Sequence, residues 1–89
     1  MASVFVRLLV GLVGPGEAPR EQCQGRTVFE ALNDCAIRRS RLKTRIFRED
    51  GSVWVEVFVN GLNVREHGGL ETLLTDGDEI RLLPPIAGG

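Results

Sequence analysis

The chain has 89 residues, 43% of them hydrophobic and 26% charged, with a formal net charge of -1. That suffices for one domain around a single core, and no overall basic field draws the chain onto nucleic acid. The apolar opening SVFVRLLVGLVG is too short to cross a bilayer, is broken by Arg7 and lacks the basic-then-apolar order of a secretion signal, so a cytoplasmic protein with no membrane partner is expected.

Residues 3–10, SVFVRLLV, alternate so that Val4, Val6, Leu8 and Val10 share a face, which predicts a strand. GPGEAP at 14–19 is a loop, and a short second strand is placed at about 20–25. TVFE at 27–30 announces a helix through a capping box: the Thr27 hydroxyl accepts from the amide three residues on, and the Glu30 carboxylate reaches back. Val28, Ala31, Leu32 and Cys35, spaced by three and four, form the buried stripe of that helix. It closes in RRSRLK, whose positive charges suit the negative end of the helix dipole.

EDGS at 49–52 is a turn, and VWVEVFVN at 53–60 is the clearest strand. Val53, Val55, Val57 and Val59 face one way; Trp54, Glu56, Phe58 and Asn60 face the other. Asn60-Gly61 makes a two-residue hairpin turn into LNVR. After the HGG loop, LETLL forms a short helical turn, TDGDE is another turn, and IRLL at 80–83 is the last strand. Ile80 and Leu82 then face the core, with Arg81 and Leu83 outside. The order strand, strand, helix, strand, strand, strand is that of an α+β domain, one sheet packed on one helix.

The sequence ends in LLPPIAGG. Pro84 and Pro85 have no amide hydrogen, so the last strand stops near Leu83. Both prolines, and the residues before them, are held extended. From Pro84 to Gly89 the chain can project up to about 20 Å. Ile86 and Ala87 lead to Gly88 and Gly89, which have no Cβ and can enter a channel too narrow for other residues. The expected organisation is a domain at 1–83 and a tail at 84–89 built for insertion.

VNGLNVR, GGLETLLTDGDEIRLLPPIAGG and the order of elements resemble the ubiquitin-like β-grasp sulfur carriers. This group includes the molybdopterin synthase small subunit, the thiamine sulfur carrier, a cysteine-biosynthesis carrier and archaeal small modifiers. The resemblance implies a mixed sheet of about five strands on one main helix. The length and LLPPIAGG are most similar to the molybdopterin synthase subunit, and NVREHGGLETLLTDGDEI is at least as similar to the cysteine-type carrier and the modifiers. By this resemblance the protein is a co-substrate and not an enzyme. An adenylating partner of the ubiquitin-activating type uses ATP to make an acyl-adenylate at Gly89, and a sulfur donor protein converts it to a thiocarboxylate. The tail then enters the large molybdopterin synthase subunit, or another sulfur-accepting enzyme, in molybdenum cofactor biosynthesis. The alternatives are sulfur delivery for cysteine or a thionucleoside, and covalent modification of target-protein lysines through Gly89. No permanently bound cofactor is implied. In the β-grasp pairing Phe58 and Leu83 form an exposed apolar patch at the base of the tail, with Arg7 and Arg81 beside it, on the face that meets partners in ubiquitin-like proteins.

Other residues offer less. Cys23 and Cys35 make no metal pattern, and His67 is the only histidine. Cys35 is read as a small core residue, whereas an exposed place stays open to Cys23. His67 sits in a loop and no triad can be drawn around it. TDGDE lacks the spacing of a calcium loop. Arg38, Arg39, Arg41, Lys43, Arg45 and Arg48 form an acid-free segment without interleaved aromatics, a solvated face or a docking surface for an acidic partner more than a nucleic-acid site. Lys43 is the only lysine, so self-conjugation through a side chain has one acceptor. Deleting Gly88 and Gly89 is expected to leave the melting temperature unchanged in a thermal-denaturation scan, because they lie beyond the last strand; a substantial drop shows a structural tail instead.

Overall fold

The last strand in sequence lies in the middle of the sheet. The computed structural model describes residues 1–8, 15, 16 and 18–84. In it β1 (Ala2–Leu8) runs parallel to β5 (Glu79–Leu83), with Val6 beside Ile80 and Leu8 beside Leu82. On the far side of β1 lies β2 (Arg20–Gly25), antiparallel, with Val4 opposite Cys23. On the far side of β5 lies β3 (Glu56–Val59), antiparallel, with Val57 opposite Leu82. A two-residue β4 (Leu62–Asn63) completes the order β2-β1-β5-β3-β4.

Strand alternation sorts the side chains. Leu8, Leu82 and Val57 form one row across three neighbouring strands, and Val6, Ile80 and Val59 form the next. All of these but the partly buried Val59 are sealed from solvent by the helices. Burying a side chain such as Leu82 contributes about 1.5–3 kcal/mol relative to exposure. Positions 9 and 10 of the expected first strand, including Val10, lie outside the described residues, as do Gly14 and Glu17 of the expected loop.

α1 (Val28–Arg38) starts as its sequence requires. The Thr27 hydroxyl accepts from the Glu30 amide at 3.2 Å, and the Glu30 carboxylate accepts in return from the Arg26 amide at 2.9 Å. Its buried stripe is Val28, Ala31, Leu32, Cys35 and Ala36. The basic run that follows is more than a helix end. It contains a second short helix, α2 (Leu42–Ile46), whose Leu42 and Ile46 are fully buried. Their spacing of four puts both on one face, and the arginines around them mask that pattern in the sequence.

Four further expectations are corrected. Cys23 is fully buried, because alternation along β2 turns it toward α1, where its thiol meets that of Cys35. The strand expected over 53–60 is regular only from Glu56 to Val59; the chain bends at Trp54 and Val55, and Val53 instead forms an isolated antiparallel bridge with Phe47. Of LNVR only Leu62 and Asn63 pair with β3, and the Asn63 side chain accepts from the Arg65 amide at 3.0 Å and caps a 3-10 turn at Val64–Glu66. A second 3-10 turn at Gly69–Glu71 stands where a helical turn was expected near LETLL.

Two tight features fix the corners. Asn60 and Gly61 have φ of 50° and 87°, as the two-residue turn demands. The Asn60 side chain spans to the start of β5, donating to Asp78 at 2.9 Å and accepting from the Glu79 amide at 3.0 Å. Partial burial works to raise the Asp78 carboxyl, but hydrogen bonds from the Thr75 amide, the Asn60 side chain and the Thr75 hydroxyl outweigh it and hold the group below the usual range. At the other corner Gly25 lies against the first turn of α1, where an added Cβ falls 2.4 Å from the Ala31 nitrogen. Backbone on both sides leaves no room for relaxation. Gly25→Ala is therefore expected to cost about 2–3 kcal/mol in urea unfolding; a change within error shows that the helix shifts freely on the sheet.

Candidate functional site

β5 ends at Leu83, and Pro84 follows it, exposed. Pro84 cannot donate a ladder hydrogen bond, and β3 has no partner strand to offer beyond Glu56, which stands opposite Leu83. The chain therefore leaves the sheet from its middle. Pro85, Ile86, Ala87, Gly88 and Gly89 lie outside the described residues.

The outer sheet face, turned away from the helices, gathers the other candidates. Arg7, Arg81, Phe58 and Asn63 are successive cross-strand neighbours on β1, β5, β3 and β4. The next row toward the tail is Leu83 beside Glu56. Phe58 and Leu83 are half-buried on the same face, and Arg7 and Arg81 are exposed. Both arginines approach the Glu79 carboxylate at 3.8 Å, distant and solvated ion pairs that leave the guanidiniums available. Glu56 is held by Arg65, and Phe5 carries the Arg20 guanidinium 4.0 Å above its ring. The result is a half-buried apolar pair rimmed by cations at the root of the tail.

The remaining candidates stand apart from this face. Lys43 is exposed on α2. His67 is exposed after the Val64–Glu66 turn. Cys23 is fully buried, and the hydrogen bond to Cys35, with burial behind it, pushes its thiol above the ordinary range. Among the described residues no group of three or more His, Cys, Asp or Glu side chains is placed to hold a metal ion. None of the described helices is long and apolar enough to cross a membrane.

The ThiS family model matches residues 6–89. The chain belongs to the ThiS family. This ThiS-family chain is a ubiquitin-like sulfur carrier of the β-grasp fold, and its relatives agree. It is 47% identical over 69 residues to the sulfur carrier protein CysO of Mycobacterium tuberculosis, a match covering 73% of this chain and 74% of that protein. It is 47% identical over 47 residues to a protein of Archaeoglobus fulgidus named as a sulfur carrier, 51% of this chain and 53% of that protein, so the matched segment spans about half the length of that relative. Among solved structures, the small archaeal modifier protein SAMP1 of Methanosarcina acetivorans superposes with a TM-score of 0.86 at 35% identity, covering 100% of this chain and 98% of that one. CysO in the Amycolatopsis orientalis BexX/CysO complex gives 0.82 at 34% identity, covering 97% and 99%. The complex of the two subunits of molybdopterin-converting factor from Helicobacter pylori gives 0.60 at 26% identity, covering 98% and 99%.

The two faces of β5 differ by one residue and are separable by substitution. Leu83→Asp is expected to leave the isolated ThiS-family domain folded by circular dichroism, whereas Leu82→Asp, an unpaired carboxylate in the core, unfolds it. Equal tolerance of both substitutions reverses the assignment of the faces.

Proposed function

We propose that Gly89 of this sulfur carrier is the group that carries sulfur. A free α-carboxylate ionises near about 3.5 and is a poor electrophile at neutral pH, so it needs activation. An ATP-dependent adenylating partner supplies it: a carboxylate oxygen of Gly89 attacks the α-phosphorus of ATP, pyrophosphate leaves, and an acyl-adenylate remains. A hydrosulfide equivalent from a sulfur donor protein attacks the acyl carbon and displaces AMP, leaving the thiocarboxylate. In the accepting enzyme that sulfur attacks an electrophilic substrate, and hydrolysis of the resulting thioester returns the carboxylate. The protein contributes position and presentation and no catalytic group of its own. The observation behind this reading is the family match, which runs through Gly89 in a chain whose ladder ends at Leu83.

Phe58, Leu83, Arg81 and Arg7 dock the partners in this proposal, and the extended tail reaches the reactive centre. Gly88 keeps the approach to Gly89 clear. For the acceptor we favour the CysO-like branch, sulfur delivery for cysteine or a thionucleoside, because the CysO and SAMP1 likenesses exceed that to the molybdopterin-converting factor. The small subunit of molybdopterin synthase is the second reading, carried by the tail sequence LLPPIAGG. Conjugation of Gly89 to protein lysines passes through the same acyl-adenylate and is compatible with either. In self-conjugation Lys43 is the one lysine acceptor.

With its adenylating partner, ATP and a sulfide source, the wild-type protein is expected to gain the mass difference between sulfur and oxygen, localised to Gly89 by fragmentation. A chain with one extra residue after Gly89 gains nothing, and Phe58→Asp slows the conversion while the fold persists. Failure of the wild type to gain sulfur beside a competent partner rejects the proposal. Consumption of the thiocarboxylate by a cysteine-forming enzyme, or by a large molybdopterin synthase subunit, decides the branch.

A further inference from the structure

We propose that the open edge of the strand segment before β3 receives an extended, acidic segment of a partner protein as an added strand. This goes beyond sulfur transfer and does not depend on it.

A β-sheet of this kind has two edges, and they are finished differently. At β2 two of the outward backbone groups, near its two ends, are occupied by side chains of α1 and its cap. Arg39 donates to the carbonyls of Ala18 at 2.6 Å and Arg20 at 3.0 Å, and the Asp34 carboxylate accepts from the Gln24 amide at 2.8 Å. Arg39 is itself anchored on Glu21 at 2.7 Å, and Asp34 on Arg38 at 2.8 Å. These bonds close much of that edge to another strand.

The other edge is left open along part of its length. β4 covers β3 only at Phe58 and Val59, so the chain from Val53 to Val57 has no strand on that side. Trp54 donates its amide to Ile46, and Phe58 pairs with Arg81 of β5. Among the described residues the amide and carbonyl of Val53 and Val55 have no hydrogen-bond partner. Unpaired backbone of this sort must be met by water or by another chain.

What it faces is a groove and not bulk solvent. A cleft of about 500 Å³ runs along this edge, lined by Trp54, Val55, Val57, Arg48, Arg65 and Leu70. The valines and Leu70 give an apolar floor. Trp54, 47% exposed, makes one wall, and the guanidinium carbon of the exposed Arg48 lies 4.5 Å from the ring centroid. Arg65 makes the opposite rim. The unpaired groups of Val53 and Val55 flank the bend at Trp54 and offer main-chain hydrogen bonds to a short extended peptide.

Charge selects the peptide. Glu56 lines the cleft but is already held by Arg65, and Asp50 beside Arg48 is engaged by Ser52. Arg48 closes a segment, 38–48, that contains no acid. An added strand with alternating apolar and acidic residues places the apolar set on the floor and a carboxylate at the exposed Arg48. Main-chain bonds then supply affinity and the rim supplies selectivity.

Trp54 is the only tryptophan in the chain, so its fluorescence reads the cleft directly. The probe is the peptide acetyl-EVEVE-amide. Added to the wild-type protein, it is expected to change Trp54 emission saturably and to slow hydrogen exchange at the Val55 amide, with weaker binding at high salt. Acetyl-KVKVK-amide and the fully N-methylated EVEVE peptide are expected to give neither signal. Arg48→Glu, an exposed substitution checked for folding by circular dichroism, is expected to weaken binding about tenfold. The proposal is overturned by the absence of a saturable change at millimolar peptide, by equal binding of the lysine or N-methylated peptide, by unchanged exchange at Val55, or by a single-stranded oligonucleotide binding at Trp54 where the peptide does not. The controls with modified peptides use the wild-type protein and stand even if Arg48→Glu fails to fold.

Discussion

The parallel pairing of β1 with β5 is the constraint on which the rest of this molecule hangs. It brings the first residues of the chain beside residues 79–83 and places both at the centre of the sheet. Everything else is added outward from that pair: β2 on one flank, β3 and β4 on the other, and the helices over the face that Val4, Val6, Leu8, Ile80 and Leu82 make apolar. A parallel pair needs a long crossover, and here the crossover is nearly the whole domain. It also fixes where the chain leaves. Because β5 is flanked on both sides, Pro84 emerges between two strands, and whatever docks against the tail must also meet the side chains of those neighbours.

The division of the sheet into a sealed face and an outer face then follows from alternation alone, which is why so much of it is legible in the sequence. Val55 and Val57 inside, Phe58 and Leu83 outside, the Thr27–Glu30 cap and the Asn60-Gly61 turn all rest on local rules, and neighbouring residues suffice to state them. The parts that were not legible depend on partners distant in sequence. Cys23 is the one apolar side chain of a polar strand, so β2 has no pattern to show which way it points; only α1 packing above decides it. Leu42 and Ile46 form a stripe of two, too short to stand out among arginines. The early bend at Trp54 exists because the chain between α2 and β3 must form its own bridge, Phe47 to Val53, before joining the sheet. At the candidate site the row Arg7, Arg81, Phe58 could be anticipated once the pairing was assumed, but the open backbone at Val53 and Val55 could not, since it results from β4 stopping at Asn63.

Arginine does most of the cationic work here. Arg39 alone closes two carbonyls and one carboxylate across the edge of β2, a geometry that needs a planar fork of donors and that an ammonium cannot reproduce. Arg48 and Arg20 set their charge over aromatic rings. For a carrier that forms an activated acyl group in the proposed chemistry, this preference has a second value. Guanidinium groups hold the charge a docking surface needs without offering a nucleophilic amine, which leaves Lys43 as the one side-chain amine on the protein's own surface.

The central position of β5 also makes folding a test of length. A chain that stops short of about residue 78 lacks the strand against which β1 and β3 both pair, and the contacts it is missing are those of greatest sequence separation, the ones that close the structure. Such a fragment leaves Val4, Val6 and Leu8 without their neighbours and stays open to proteases. Interrupted synthesis or cleavage within the domain therefore yields no folded decoy able to occupy an activating or accepting partner without a tail to offer. A cell that holds the folded domain holds chains completed at least to the threshold of Pro84, and the architecture performs that proofreading with no separate factor.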